Sequence, residues 1–366
     1  MPLKVIKKVY VGMSGGVDSS VTAALLQQQG YAVTGVYMKN WSQDLPGFTC
    51  PWKEDYQDAK RVAVQLGIAF KMYDFEAEYR QRVVDYMVAG YQAGITPNPD
   101  IMCNQEVKFK LFLQAALDDG ADAIATGHYA RIVYDGADSL AGSAGSASLL
   151  AGLDPNKDQS YFLYRVTAQA LSHSLMPIGD LQKPAVRALA KKLGLATAEK
   201  KDSQGICFVG KVGIKDFLLA ELGPQTPGPI VDPAGKTIGE HDGALFYTIG
   251  QRHGLDVGGG LPYYVVGKDM AKNEVYVTTD LQDGRLWRRD VRLTSLHWIN
   301  QPPTADRPYQ VRTRYRAPLI GCHVRGGAGP ADQLTVLLDD DVRAITPGQS
   351  AVLYDGPRVV GGGIVI

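Results

Sequence analysis

The stretch that decides the fold is residues 9–20, Val-Tyr-Val-Gly-Met-Ser-Gly-Gly-Val-Asp-Ser-Ser. An apolar run at 9–13 leads into a glycine turn, and a helical pattern follows over 19–29 with Gly30 at its end. Glycines let the turn curl until several backbone N–H groups converge, and the helix N-terminus adds about half a positive charge. The stretch therefore predicts an anion-binding loop between a strand and a helix.

The loop carries hydroxyl donors on Ser14, Ser19 and Ser20, and Asp18 either holds a magnesium ion or orients the loop. It contains no lysine, so it is neither GxxxxGK[ST] nor GxGxxG. The alternative is a plain glycine turn in which Asp18 or Ser19 caps the helix. A Gly-Lys-Thr sequence at 235–237 lacks the first glycine of the Walker spacing, and we predict a turn there.

Strands and helices alternate along the first part of the chain. Further strands are predicted at 33–38, 68–73 and 121–126, and helices at 55–66, 76–92, 105–118, 167–175 and 183–193. This alternation predicts βαβ units and therefore an α/β fold with a doubly wound parallel sheet. Residues 136–148 are small and polar, typical of a hairpin tip or loop.

From about residue 213, proline, glycine and short β-type runs replace the helical patterns. We therefore predict three domains: an α/β domain over 1–212 and two small β-rich domains, a central one over 213–284 and a C-terminal one over 285–366.

Composition excludes several classes of protein. Among 366 residues, 45% are apolar, but no apolar run approaches the length of a membrane span, and the N-terminus lacks a signal-peptide pattern. The four cysteines are too few and too far apart for a disulfide scaffold, a zinc knuckle or a CxxC pair. The sequence thus predicts a cytoplasmic protein that does not engage a membrane.

Two of the cysteines have surroundings that favour reactivity. Cys103 follows the proline-stiffened turn 96–100 and precedes a predicted helix, a position that stabilises a thiolate. Cys207 follows Lys200 and Lys201, with Gly205 allowing close backbone approach. Cys50 and Cys322 are interpreted as buried small hydrophobic residues.

The motif SGGVDSS (14–20) resembles the signature of the PP-loop ATP pyrophosphatases. Further blocks resemble one of their families, the tRNA-specific 2-thiouridylases: TPNPDIMCNQEVKFK (96–110), ATGHYAR (125–131), NKDQSYFLY (156–164), KDSQGICFVG (201–210), YTIGQRHGL (247–255) and TPGQSAV (346–352). The resemblance implies an adenine nucleotide alpha-hydrolase-like fold for a catalytic, ATP-binding first domain, and a C-terminal β-barrel that binds tRNA. It implies that sulfur replaces O2 of the wobble uridine, position 34 of tRNA. It also implies ATP with Mg²⁺ as substrate, no permanent cofactor, an upstream persulfide carrier protein and a monomer.

The resemblance also assigns roles to residues at matching positions. ATP binding is implied for Gly12, Met13, Ser14, Gly15, Gly16, Val17, Asp18, Ser19, Met38 and Gly127. The target base would contact Asn98, Pro99 and Asp100, and tRNA would contact Lys157, Asp158, Gln159, Arg314 and Tyr315. Cys207 would carry the persulfide, Cys103 would complete sulfur release through a transient Cys103–Cys207 disulfide, and Asp100 would act as acid or base.

Purely structural roles are the alternatives to these functional ones: Met38 would belong to the core, Asp100 would cap a turn, and His128 would be a structural histidine. An arginine run over 285–325, nine arginines against two aspartates, favours RNA binding over a solvated face when it stands beside the motif matches. Strand alternation predicts that Arg312, Arg314 and Arg316 share one face of a strand, with Tyr315 opposite unless the strand bends. The competing functions are another PP-loop enzyme and a non-catalytic tRNA-binding protein.

Overall fold

The computed structural model describes residues 7–134, 147–202, 212–255, 257–258, 260–326 and 332–366. Within those ranges, no helix has the length and apolar character that a membrane crossing requires. Cys207 lies outside the described residues, as does most of the loop predicted at 136–148.

Five parallel strands form the first sheet, in the order β3-β2-β1-β4-β7. They are β1 (Lys8–Gly12), β2 (Ala32–Lys39), β3 (Ala69–Asp74), β4 (Ala123–Ala125) and β7 (Ser174–Leu175). The strand order reverses beside β1, because β2 and β3 lie on one side of it and β4 and β7 on the other. The predicted doubly wound parallel sheet is confirmed, and such sheets bind ligands at the carboxyl ends of the strands near the reversal.

Helices cover this sheet. They are α1 (Val17–Gln28), α2 (Trp52–Leu66), α3 (Glu76–Tyr79), α4 (Asp85–Gln92), α5 (Pro99–Met102), α6 (Leu113–Asp118), α7 (Ala168–Ser172) and α8 (Lys183–Lys192), with α9 (Ile214–Leu222) following the first domain. A π-helical segment, Cys103–Phe112, joins α5 to α6. The helix predicted at 105–118 therefore begins earlier, because Asn98 Oδ1 accepts from the backbone N–H of Ile101 and Pro99 occupies the first helical position.

A β-hairpin leaves the first domain to join a different sheet. β5 (Ala130–Tyr134) pairs with β6 (Ala147–Ala151) along its whole length. β6 in turn pairs with the last strand of the chain, where Leu150 lies opposite Arg358 and the N–H of Ala151 donates to Pro357 O at 2.8 Å. One sheet thus runs from the C-terminal barrel into the first domain.

The central region forms a four-stranded sheet in the order β10-β11-β8-β9. Its strands are β8 (Gly228–Val231), β9 (Thr237–His241), β10 (Tyr264–Asp269) and β11 (Glu274–Thr278). The Gly-Lys-Thr at 235–237 lies where β8 turns into β9, with Gly235 at φ +78°. The predicted turn is confirmed, and no phosphate loop forms there.

Six antiparallel strands close the C-terminal barrel. They are β12 (Trp287–Trp298), β13 (Tyr309–Arg312), β14 (Ile320–Arg325), β15 (Gln333–Arg343), β16 (Ser350–Asp355) and β17 (Arg358–Val365). β12 pairs with both β15 and β17, which closes the ring around a core that includes Val311, Cys322 and Leu353. The predicted C-terminal β-barrel is confirmed.

The arginine run does not continue as one strand face, so that prediction is wrong. β13 ends at Arg312; Arg314 lies in a bend, and Arg316 adopts φ +61° in the following turn. A left-handed residue reverses the chain, and sequence alternation carries no sign of it. Arg314 and Arg316 remain exposed, whereas Arg312 turns inward.

Candidate active site

The loop between β1 and α1 has the shape that the sequence predicts for an anion site. α1 begins at Val17 with Gly16 at its N-cap, and no side chain caps its first N–H groups. Neither Asp18 nor Ser19 is the cap, so the capping role that the plain-turn alternative gave them is wrong. Ser14 N–H donates to Ser19 Oγ at 3.2 Å, and Gly15 adopts φ +73°, where its missing Cβ lets the loop approach Asp55 in α2. Uncapped N–H groups at a helix N-terminus attract phosphate.

Asp18 is held from two directions inside this loop. The hydroxyl of Tyr129 donates to Asp18 Oδ1 at 2.8 Å, and the ammonium of Lys183 donates to both carboxylate oxygens at 2.8 Å. Lys183 begins α8 and is buried, and its own N–H donates to Asp154 Oδ2. Of the two roles predicted for Asp18, these contacts favour orienting the loop.

Lys183 also forms an ion pair with Asp202, and Asp202 contacts three cationic side chains in all. Asp202 accepts from Lys183 at 2.8 Å, from Lys157 at 2.6 Å and from Arg187 at 2.7 Å. Burial alone would raise the pKa of Asp202, but the hydrogen bonds from Lys157 and Lys183 outweigh it and lower that pKa to about 2. The carboxylate is therefore ionised at neutral pH and ties the phosphate loop to residues 157 and 187.

The two further residues assigned to ATP, Met38 and Gly127, both lie next to the phosphate loop. Met38 is near the carboxyl end of β2, and its Cε lies 3.0 Å from where a Cβ on Gly12 would stand. Gly127 follows β4 so closely against the loop that a Cβ there would lie 2.8 Å from Asp18 C and Ser19 N. Both residues therefore border the phosphate loop at the strand-order reversal.

His128, next to Gly127, is buried and engaged with Thr126. Its Nδ1 lies 2.8 Å from Thr126 Oγ1. Burial, with Lys108 nearby, holds the pKa of His128 well below its ordinary value. The ring is neutral at physiological pH, as expected of a structural histidine.

Three regions of the chain meet at the turn that precedes α5. The N–H of Thr96 donates to Pro347 O at 2.9 Å, its O accepts from Gln349 Nε2 at 2.8 Å, and its Oγ1 lies 3.1 Å from Thr248 Oγ1. Gly348, at φ +90°, packs so tightly that a Cβ would lie 2.7 Å from Thr96 N. The central region and the barrel thus both fix this turn of the first domain.

A cleft of about 410 Å³ opens beside the turn. It is lined by Tyr91, Pro97, Asn98, Pro99, Asp100, Val212, Gly213, Ile214 and Gln349. All three residues assigned to the target base therefore face one cavity, and the capping role of Asn98 fixes the start of its helical wall. Val212, five positions after Cys207, lines the same cavity.

Cys103 is the fifth residue of this helix and is 0% exposed. The prediction that it stands just before a helix N-terminus is therefore wrong, since the Asn98 cap and Pro99 start the helix one turn earlier. Cys50 and Cys322 are also buried, and burial raises the pKa of both thiols, that of Cys322 to about 12. Neither of those two thiols is ionised at neutral pH.

The loop 154–160 connects the first domain to the barrel. Lys157 pairs with Asp202, Asp158 pairs with Arg312, and Gln159 exchanges hydrogen bonds with Tyr129. After this loop, the ring of Phe162 packs against the ring of Tyr315 from the barrel, with ring centroids 4.5 Å apart.

Sequence reasoning missed Lys183, Asp202 and Tyr129 as parts of the site. Tyr129 and Asp202 lie inside the ATGHYAR and KDSQGICFVG motifs, so their membership of a motif could have identified them. For Lys183, the sequence showed only that a Lys-Pro pair is typical of a helix start. Its pairing with Asp18 joins residues 165 positions apart. Among the described residues, no group of three or more His, Cys, Asp or Glu side chains is arranged to hold a metal ion.

A parallel sheet with a phosphate loop at its strand-order reversal defines a nucleotide-binding domain of the HUP class. The family model that matches residues 7–211 is described as a tRNA methyl transferase HUP domain. Two further models, a tRNA methyl transferase PRC-barrel domain and an aminomethyltransferase beta-barrel domain, match 215–279 and 288–365. The chain belongs to the family of the tRNA-specific 2-thiouridylases, whose curated members it matches over nearly its whole length.

Two of these relatives illustrate the match. The tRNA-specific 2-thiouridylase MnmA of Shewanella amazonensis is 48% identical over 98% of this chain and 94% of its own. That of Actinobacillus pleuropneumoniae is 48% identical over 98% of this chain and 91% of its own. Among solved structures, a 4-thiouridine synthetase–RNA complex with bound ATP shares 17% identity at a TM-score of 0.36, covering 56% of this chain and 46% of that one.

Proposed function

We propose that the protein is an ATP-dependent tRNA-uridine 2-sulfurtransferase that acts on the wobble uridine. The observation that carries this proposal is the cleft of about 410 Å³, which brings Asn98, Pro99 and Asp100 into one cavity with Val212, close in sequence to Cys207. The names of the full-length relatives support it. Although two family models carry the words methyl transferase, a phosphate loop and paired cysteines suit adenylation and sulfur transfer better.

The first step uses the phosphate loop. ATP, entering with Mg²⁺ as substrate, sets its phosphates on the N–H groups of residues 12–19, while Met38 and Gly127 border the nucleotide. Uridine O2 attacks the α-phosphate, and pyrophosphate leaves. The carbonyl oxygen, a poor leaving group, thereby becomes part of AMP, a good one.

The second step transfers sulfur. The terminal sulfur of a Cys207 persulfide attacks C2 of the adenylated base and AMP leaves. The Cys103 thiolate then attacks Cys207 Sγ, which releases the 2-thiouridine and forms a Cys103–Cys207 disulfide. Alternatively, Cys103 first frees hydrosulfide from the persulfide. An external thiol reduces the disulfide, and a carrier protein reloads the persulfide.

Asp100 faces the cleft and is proposed as the acid or base. Because Cys103 is 0% exposed, sulfur release requires the helix around Cys103 to open. The target uridine must leave the anticodon stack to enter the cleft. Lys157, Gln159, Arg314 and Tyr315 are the proposed tRNA contacts around it.

The remaining parts of the proposal are organisational. The catalytic domain would span 1–212, the central domain 213–284 and the tRNA-binding barrel 285–366. We propose a cytoplasmic monomer without a permanent cofactor. The competing functions are another PP-loop reaction and tRNA binding without catalysis.

Single-turnover thiolation of a tRNA transcript, with mass spectrometry of the nucleosides, tests the proposal. Thiouridine, AMP and pyrophosphate are the expected products. Formation of ADP and phosphate, or binding without chemistry, would contradict it.

Cysteine variants test the sulfur step. Cys207→Ser should fail to load persulfide, whereas Cys103→Ser should load Cys207 and fail to deliver the sulfur. Cys50→Ala and Cys322→Ala are the controls and should stay active. Normal turnover in either serine variant, or persulfide sulfur on a control cysteine, would reject the two-cysteine mechanism.

A further inference from the structure

Asp158 and Arg312 form a buried ion pair between the first domain and the barrel. The carboxylate Oδ2 lies 2.8 Å from Arg312 Nη1, with only 4% of the Asp158 side chain and 14% of the Arg312 side chain exposed. Oδ1 accepts from the N–H groups of Gly152 and Ser160, both at 3.0 Å. Both oxygens of Asp158 are therefore used inside the protein.

Arg312 is fixed on its own side as well. It is the last residue of β13, and its guanidinium lies 5.4 Å from the centre of the Tyr354 ring. The Tyr354 hydroxyl in turn lies 3.1 Å from Ser160 Oγ. The pair is thus one member of a buried polar network that joins β13 and β16 to the loop 154–160.

The exposed turn of the barrel starts directly after this pair. Arg314 is two residues beyond Arg312, and the Tyr315 ring packs at a tilt against Phe162, which follows the same loop. Displacing Arg312 would therefore move Arg314 and Tyr315 relative to the cleft at 98–100.

We propose that Asp158 and Arg312 are positioning residues that set the barrel turn over the active site, and that Asp158 acts through Arg312 rather than by touching RNA. The proposal rests on the function proposed above, in which tRNA lies across the first domain and the barrel. Truncating one partner leaves the other buried and unpaired, which costs more than removing both. The pair should therefore be strongly non-additive.

The experiment is a double-mutant cycle with Asp158→Asn, Arg312→Met and the double variant. Asparagine keeps an oxygen for the N–H groups of Gly152 and Ser160, and nucleotide-analogue binding stoichiometry reports the folded fraction. Thiolation at saturating tRNA, affinity for tRNA and its salt dependence are measured. The exposed pair Lys191–Glu199, away from the barrel and the cleft residues, supplies the control variants Lys191→Met and Glu199→Gln.

We expect Asp158→Asn to lower the thiolation rate at saturating tRNA at least tenfold, with unchanged KM for ATP and an unchanged salt slope. The double variant should be no slower than the worse single variant, Arg312→Lys should keep part of the rate, and the controls should stay within twofold of wild type. Additive losses, or a weaker affinity with a normal saturated rate, would overturn the proposal.

If the wild type itself forms no thiouridine, the proposed function fails, and the same cycle is then scored on tRNA affinity. Non-additive losses of affinity would still support the positioning pair, and additive losses would overturn it.

Discussion

The ammonium of Lys183 lies 2.8 Å from both carboxylate oxygens of Asp18, 165 positions away along the chain. The phosphate loop has no lysine of its own, and α8 supplies a cation, Lys183, that is paired with the loop's aspartate. This contact makes the orientation of Asp18 depend on the start of α8.

Replacing Lys183 by methionine should lower the free energy of unfolding by about 2 kcal/mol, because the Asp18 carboxylate then loses the ammonium that donates to both of its oxygens. Nucleotide binding should weaken with it. Lys191→Met is the matched control, since that lysine of α8 pairs with Glu199 in the open and should change stability by under about 0.5 kcal/mol. Urea titrations and nucleotide-analogue affinity measure both effects; equal losses in the two variants would contradict the role of Lys183.

Gly127→Ala should weaken nucleotide binding and cost about 1–3 kcal/mol of stability, because the new Cβ would lie 2.8 Å from the backbone of Asp18 and Ser19. The phosphate loop would have to shift to admit it. Gly284→Ala places a methyl group where nothing lies within 4 Å, and it should bind nucleotide as the wild type does. Isothermal titration with a non-hydrolysable ATP analogue compares the two; unchanged affinity in Gly127→Ala would show that the loop has room.

Asp202 predicts a pH dependence of stability. Its pKa in the folded protein is about 2, below the ordinary value of about 3.9, so its contribution is present above pH 4 and is lost as the pH falls toward 2. Since the side chain is about a third exposed, we expect about 1 kcal/mol. Asp202→Asn should therefore be less stable than wild type at pH 7 by that amount and nearly equal to it at pH 2, in urea titrations. A difference that is constant across pH would contradict this.

Arg314→Ala should weaken tRNA binding by about 1–3 kcal/mol and reduce the salt slope by about one unit, as expected for one phosphate contact. Arg314 is exposed in the bend after β13 and is therefore available to RNA. Arg325→Ala, exposed at the end of β14, is the comparison within the arginine run. Salt titrations of tRNA affinity decide, and an unchanged slope for Arg314→Ala would return this residue to a solvated face.

The parts of the fold that were predictable are those with local signals. The glycine loop between β1 and α1 and the alternation of strands with helices specify the parallel sheet. The helix at Pro99 was also signalled, by a capping Asn98 and a proline at its first position, but the same residues are typical of turns.

The parts that were not predictable depend on long-range contacts or on single backbone angles. The pairing of Lys183 with Asp18 joins residues that no sequence pattern relates. Alternation would have extended β13 past Arg312, but a bend and then a left-handed turn at Arg316, φ +61°, follow the strand there. Alternation also grouped Arg312 with the exposed arginines, whereas in the structure Arg312 is buried in an ion pair with Asp158.

The hairpin β5–β6, paired with β17, has a practical consequence for dissecting the molecule. Cutting the chain after residue 212 would strip β6 of its neighbour and leave its backbone N–H and C=O groups open at a sheet edge, a template for joining other chains. The barrel, cut free, would expose the start of β17 at Arg358, since the rest of that strand pairs with β12 and β16. Fragments made by dividing the chain there should self-associate, so the first domain and the barrel act as partners that protect each other from aggregation.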